Sequence, residues 1–95
     1  MINTAVITVL LHDEDGTLTE YTVRAQTRDL TGWELISHRK GWPLDAANLS
    51  QTWIAWSALK REGHFAGDFE DFQDACVGTS SVLEEVRPTT AASAD

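Results

Sequence analysis

Five consecutive residues, His12–Asp13–Glu14–Asp15–Gly16, bring one imidazole and three carboxylates together. Hard cations take such oxygen ligands, but a calcium loop is longer, with oxygens at alternate positions and a distant bidentate Glu. Asp and Gly are also what a tight hairpin turn requires, and the stretch reads as a turn. Cys76 and His64 could pair as thiol and imidazole. Cys76, however, falls on one apolar stripe with Phe69 and Phe72, where a thiol serves as packing. Glu70/Asp71 and Glu84/Glu85 are sequence neighbours. On a helix, neighbours do not face each other, so neither makes an acid–base couple. A single cysteine and three scattered histidines supply no zinc spacing, and no glycine-rich phosphate loop is present. The reading is of a chain that is not an enzyme, with no catalytic residues, no metal site and no cofactor.

What remains is aromatic. Residues 49–65 read LSQTWIAWSALKREGHF, with Trp53 and Trp56 three apart and Phe65, Phe69 and Phe72 close behind. At 100° per residue, Leu49, Trp53, Trp56 and Leu59 share one arc of a helix, while Ala47, Ile54 and Ala58 form a lesser stripe on the far side. Such a helix touches something on both faces. Trp33 and Trp56 read as core. Trp42, between Gly41 and Pro43, and Trp53, at the margin of its arc, read as partner contacts, because tryptophan is enriched at interface hot spots. Trp42, Trp53, Trp56, Leu49, Phe69 and Phe72 are thus the candidate partner-binding residues.

The elements that must position these side chains follow from pattern. Residues 5–11, AVITVLL, and 17–25, TLTEYTVRA, flank the Asp/Gly turn and read as a β-hairpin. The first strand is apolar on both faces, and a two-stranded hairpin is not stable alone. An exposed apolar edge invites pairing with another chain, so Val6, Thr8 and Leu10 are expected to form a self-association strand. Residues 28–40 read as a helix capped by Thr27 or Asp29, with Leu30, Trp33 and Ile36 inward and Gly41 as its left-handed cap. Gly32 inside it costs about 1 kcal/mol relative to Ala. Residues 45–62 form the tryptophan helix, ended by Gly63, with Lys60 snorkelling at its end. Residues 68–76 read as a short acidic helix capped by Asp68 or Gly67–Asp68. The stretch VGTSSVLEEV after it fits a loop followed by a strand or short helix. The expected class is α+β: an N-terminal β-hairpin followed by about three helices, in one compact domain over residues 1–87, with a disordered tail over 88–95.

Ninety-five residues make at most one domain. No apolar run is long enough to span a membrane, and one cysteine fits a reducing compartment. The net charge of −8 is uneven: −1 through Arg61 and −7 from Glu62 onward. Such a chain repels nucleic acid rather than seeking it, and the charge keeps it dispersed.

The order of short motifs carries a resemblance over about residues 26–92. Arg28–Asp29, Trp33–Glu34 and Gly41–Trp42–Pro43 come first, then the tryptophan helix ending ALKREG, the acidic FEDFQDAC, and PTTAA. This order resembles the tail assembly chaperones of siphophages that infect actinobacteria. The resemblance implies a non-catalytic protein of the infected host's cytoplasm, absent from the mature virion. It would bind the tape measure protein and keep it soluble while tail tube subunits polymerise around it. It also implies a longer, frameshifted form as a partner, with RPTTAASAD as the linker into the extension; homo-oligomerisation is expected instead from the apolar edge of the first strand. Trp33, Trp42, Trp53 and Trp56 match family-like positions. Two other classes remain open: an acidic inhibitor or DNA mimic on a basic host protein, motivated by the −7 block, and a structural tail connector or terminator.

Overall fold

The structure, a computed structural model, describes residues 2–87. The expected tail over 88–95 lies outside the described residues. Six elements follow in order: β1 (Ile2–His12), β2 (Leu18–Arg24), α1 (Thr27–Lys40), α2 (Ala47–Arg61), α3 (Phe69–Ala75) and β3 (Cys76–Val86). The fold is α+β, with the hairpin and three helices expected from the sequence and a third strand that the sequence left undecided.

The hairpin turn is built by its acids. The Asp13 carboxylate accepts from the amides of Asp15 and Thr17, at 3.2 and 2.9 Å. Gly16 takes φ 87°, a left-handed conformation that favours glycine. No group of three or more His, Cys, Asp or Glu side chains among the described residues is placed to hold a metal ion.

The sheet is antiparallel throughout, in the order β2–β1–β3. This corrects the expected role of β1. Its two edges are both occupied: Val6 lies opposite Arg24 and Val82, Thr8 opposite Thr22 and Ser80, and Leu10 opposite Glu20 and Gly78. Val6, Thr8 and Leu10 therefore present no free edge to a second chain. They lie half-buried on the sheet face away from Ile7, Val9 and Leu11. The two-sided apolar character of β1 is that of a central strand, shielded by neighbours on its open face. Between Leu10 and Leu11 the β1–β3 register slips, because Gly78 faces Leu10 but Cys76 faces Leu11. Val77 is the extra residue of this bulge and stays exposed.

Helix α2 closes the other face. The core comprises Ile7, Val9 and Leu11 of β1, Val23 of β2, Ala55, Ala58 and Leu59 of α2, and Phe72 of α3. Fully burying an Ile, Leu or Phe contributes roughly 1.5–3 kcal/mol, so this cluster is the main source of stability. The expected division of α2 is corrected here. Ala55 and Ala58, with Leu59, are the residues fully enclosed on this helix, and their small side chains let the backbone lie close to the sheet. Trp53 and Trp56 sit on another side and are only half-buried. On α1 the inward stripe is Asp29, Trp33 and Ser37, spaced by four, while Leu30 is 49% exposed rather than inward. Phe72, expected among the partner-binding residues, is fully buried and packs edge-on against Phe65 at 5.4 Å. It supports the fold instead.

The termini of the helices obey local chemistry. Gly41 takes φ 73° and caps α1. In α3, Asp68 accepts from the Asp71 amide at 2.9 Å, and the Asp71 carboxylate accepts from the Asp68 amide at 3.2 Å. This reciprocal capping box stabilises a helix of only two turns. No helix among the described residues is long and apolar enough to cross a membrane.

Candidate functional site

The aromatic side chains singled out in the sequence converge where α1, α2 and α3 meet. Trp33 is the floor: it is 4% exposed, and its indole N–H donates to the Leu44 carbonyl at 3.2 Å. That bond ties α1 to the loop before α2. The Gly41 turn folds the chain back, and the Trp42 amide donates to the Ser37 carbonyl at 2.8 Å. Trp42 is thereby laid over Trp33, with centroids 6.1 Å apart and planes at 22°. From α2, Trp53 leans on Trp33 at 6.4 Å and meets Trp56 edge-on at 5.5 Å. Phe69, at the start of α3, closes the circuit against Trp56 at 5.8 Å and Trp42 at 6.2 Å. Five rings thus form a closed circuit, Trp33–Trp42–Phe69–Trp56–Trp53. Aromatic pairs in these geometries contribute roughly 0.5–1.5 kcal/mol each beyond burial, enough to hold the rings in fixed positions.

Two contacts fix the α2 rings further. The Trp56 N–H donates to the Gly67 carbonyl at 3.0 Å, and Lys60 Nζ lies 5.1 Å from the Trp56 ring centroid in a cation–π contact. Trp53 is admitted by Gly32: a Cβ on Gly32 would stand 2.8 Å from Trp53 Cη2. The glycine that weakens α1 as a helix is the one that lets the tryptophan approach it. Sequence reasoning counted only its helix cost, since the close approach depends on a residue 21 positions away.

The rings do not seal one another in. Trp42, Trp53, Trp56 and Phe69 are all half-buried. With Ile36 they line an open groove of about 550 Å³, a volume in the range of small-ligand sites, about 300–1,000 Å³. Its rim is polar, with Lys40 on the α1 side and Asp68, Glu70 and Gln73 on the α3 side. Of the candidate partner-binding residues, the structure brings together Trp42, Trp53, Trp56 and Phe69. Leu49 is half-buried on the first turn of α2 and is not among the residues lining the groove. Ile36 and Lys40 belong to the groove and went unremarked as such in the sequence.

The groove offers aromatic faces and edges with carboxylates at its lip. Its chemistry is that of binding: it can take an apolar side chain, and the rim carboxylates can pair with a basic residue beside it. Elsewhere, the Cys76 Sγ donates to the Gly78 carbonyl at 3.6 Å. Partial burial pushes its thiol above the ordinary value, which disfavours the thiolate.

No protein-family model, no curated protein and no solved structure matches this chain.

Proposed function

We propose that the chain is a siphophage tail assembly chaperone that binds the tape measure protein and keeps it soluble during assembly of the long non-contractile tail. The observation that carries this reading is the half-buried aromatic groove between α1, α2 and α3. A helix laid in a groove is anchored by large side chains entering apolar pockets, and clustered tryptophans are what interface hot spots use. The tape measure protein, a long and largely helical chain prone to aggregation, is such a client. The order of the motifs from Arg28–Asp29 through the ALKREG helix to FEDFQDAC supports the same reading. So does the net charge of −8, which keeps a complex dispersed while its client is held. On this reading the protein acts in the cytoplasm of the infected host, alongside a longer frameshifted form, and is left out of the finished virion.

Co-expression with the tape measure protein of the same phage tests the proposal. The client moves from the insoluble to the soluble fraction and co-purifies with the chain. Neither effect occurring would reject it. Finding the chain in purified virions by mass spectrometry would instead favour a structural tail component.

A further inference from the structure

The long edge of the sheet belongs to β3, and its sequence is arranged for pairing with itself. Strand β1 is flanked on both sides, so the free edges are those of β2 and β3. They differ in kind. The seven residues of β2, LTEYTVR, include Glu20 and Arg24. The eleven of β3, CVGTSSVLEEV, hold an uncharged run from Val77 to Leu83 with no proline. Native edges are blunted by charge, proline, shortness or bulges; β3 has its bulge at Val77 and its charges at Glu84 and Glu85, and between them Gly78 to Leu83 carries none of these. Residues Ser80 to Val86 are all exposed, with Val82 and Leu83 at 58% and 73%, so nothing within the described chain covers the strand.

We propose that two copies of this chain pair antiparallel through β3, with Ser81 on the two-fold axis. The register that uses the regular part of the strand, Gly78 to Glu84 beyond the Val77 bulge, places Ser81 opposite itself. It sets Glu84 against Gly78 and leaves Glu85 beside the bulge, so the carboxylates of the two copies stand at opposite ends of the seam. Val82 then faces Ser80, and Leu83 faces Thr79. A register shifted toward the C-terminal end would bring the glutamates together, and like charges directly opposite are destabilising. The strand is also anchored from the helix side. Gln51 of α2 donates to Thr79 Oγ1 at 2.6 Å and accepts from Ser81 Oγ at 3.0 Å, fixing the two residues at and beside the axis. The product is a continuous six-stranded sheet with the helices of both copies on one face, since residues opposite each other in an antiparallel pair share a face. It leaves the aromatic groove, on α1, α2 and α3, unused, and is independent of the client reading.

Sedimentation of the full chain over a concentration series tests the dimer, and engineered thiols test its register. Each copy carries −8, so association should strengthen as salt is added, opposite to an interface made by ion pairs. In a Cys76→Ser background, Ser81→Cys should form a covalent dimer under mild oxidation, because opposite Cα atoms lie about 4.5–5.5 Å apart, within disulfide reach. Leu83→Cys should crosslink at least an order of magnitude more slowly, its copies standing roughly 13 Å apart along the seam at 3.3 Å per residue. A chain that sediments as a monomer up to millimolar concentration overturns the proposal. So does crosslinking at 83 that matches or exceeds that at 81. Circular dichroism of the Ser81→Cys variant shows whether the fold survives loss of the Gln51 contact; if it does not, the salt response of the unmodified chain decides.

Discussion

Arg61, the last residue of α2, holds the fully buried carboxylate of Asp29 in the first turn of α1: its Nη1 lies 2.6 Å from one carboxylate oxygen and 2.5 Å from the other. Every remaining demand of that carboxylate is met nearby. Ser57 Oγ donates to Oδ1 at 2.7 Å, and the Gln26 amide donates to Oδ2 at 2.9 Å. Arg61 also donates through Nη2 to the Arg24 carbonyl at 3.3 Å. One carboxylate thus joins the start of α1, the end of α2 and, through the guanidinium, the end of β2. This is the geometry that fixes the crossing of the two helices on which the tryptophans stand.

The first prediction concerns that pair. Removing Arg61 leaves the fully buried Asp29 carboxylate without its counter-charge, which costs about 3–5 kcal/mol, whereas removing the Asp29 charge leaves a guanidinium that water can reach. Arg61→Ala should lower the urea midpoint by that equivalent, a large fraction of the roughly 5–15 kcal/mol that a small domain has, and Asp29→Asn by less. The double variant should lose much less than the sum of the two, because the residues act as one unit. Losses below about 1 kcal/mol in both single variants, the range of an exposed pair, would show the pair to be dispensable.

A second prediction separates the tryptophans by depth. Trp33 is buried and hydrogen-bonded beneath the ring circuit, so Trp33→Ala should destabilise by about 3–5 kcal/mol, as large-to-small core changes do. Trp42 is half-buried at the groove. Trp42→Ala should cost less stability yet, on the proposed function, weaken capture of a tape measure client by tenfold or more, the loss expected at an aromatic hot spot. Calorimetry and client pull-down read the two quantities separately. Equal effects of both variants on stability, with client capture unchanged, would remove the groove from the binding surface.

The contrast between these residues shows what could be read in the sequence. The hairpin, the three helices, the Asp68 cap and the Gly41 turn are local, set by residues within a few positions of each other, and they were legible. The convergence of Trp42, Trp53, Trp56 and Phe69 was legible as a class of surface, though not as a closed circuit. Three things depend on distant partners and were hidden. Strand β3 has no buried face of its own; every residue from Ser80 to Val86 is exposed, and its conformation comes from pairing with β1 residues 65 to 84 positions away. Thr27 or Asp29 read as the cap of α1, but the cap is Gln26; Asp29 stands at the third helical position, its carboxylate accepting from the Gln26 amide, and its partner Arg61 is 32 residues on. On α2 the largest side chains read as core, whereas the enclosed face is made by Ala55 and Ala58, because closeness of helix to sheet selects small residues there.

The turn supplies a prediction about pH. Asp15 is held down to about 2, first by the Asp13 side chain, whose carboxyl can donate to it only while protonated, and then by the Thr17 hydroxyl and amide, whose contacts persist at neutral pH. A folded-state pKa below the ordinary 3.8 favours the fold while the carboxylate is ionised. That stabilisation is complete above the unfolded value and is lost as pH falls through the folded one. Asp15→Asn should therefore melt lower than the unmodified chain at neutral pH, with the gap closing between pH 3.8 and about 2. A carbon-detected NMR titration should place the Asp15 midpoint below those of unpaired aspartates. A gap in melting temperature that stays constant through this window would show the turn hydrogen bonds to be absent in solution.

The last prediction uses the glycine beneath Trp53. In an exposed helix, Gly→Ala gains about 1 kcal/mol from propensity alone. At Gly32 the added methyl would sit 2.8 Å from Trp53 Cη2 and 3.2 Å from Cζ3, inside any real carbon contact. The α1 backbone cannot retreat cheaply, because Asp29 and Trp33 on either side are locked by Arg61 and by the Leu44 carbonyl. Trp53 must swing instead, breaking its contacts with Trp33 and Trp56. Two ring pairs at roughly 0.5–1.5 kcal/mol each offset or exceed the propensity gain, so the net change in stability should be small or unfavourable. The ring circuit should nevertheless open. Near-UV circular dichroism should lose the signal of coupled indoles while far-UV spectra keep the helix content, and client capture should fall with it. Gly32→Ala combined with Trp53→Leu should recover the propensity gain without recovering client binding. If Gly32→Ala alone stabilises the chain by the full 1 kcal/mol and leaves the near-UV spectrum unchanged, Trp53 does not rest on α1.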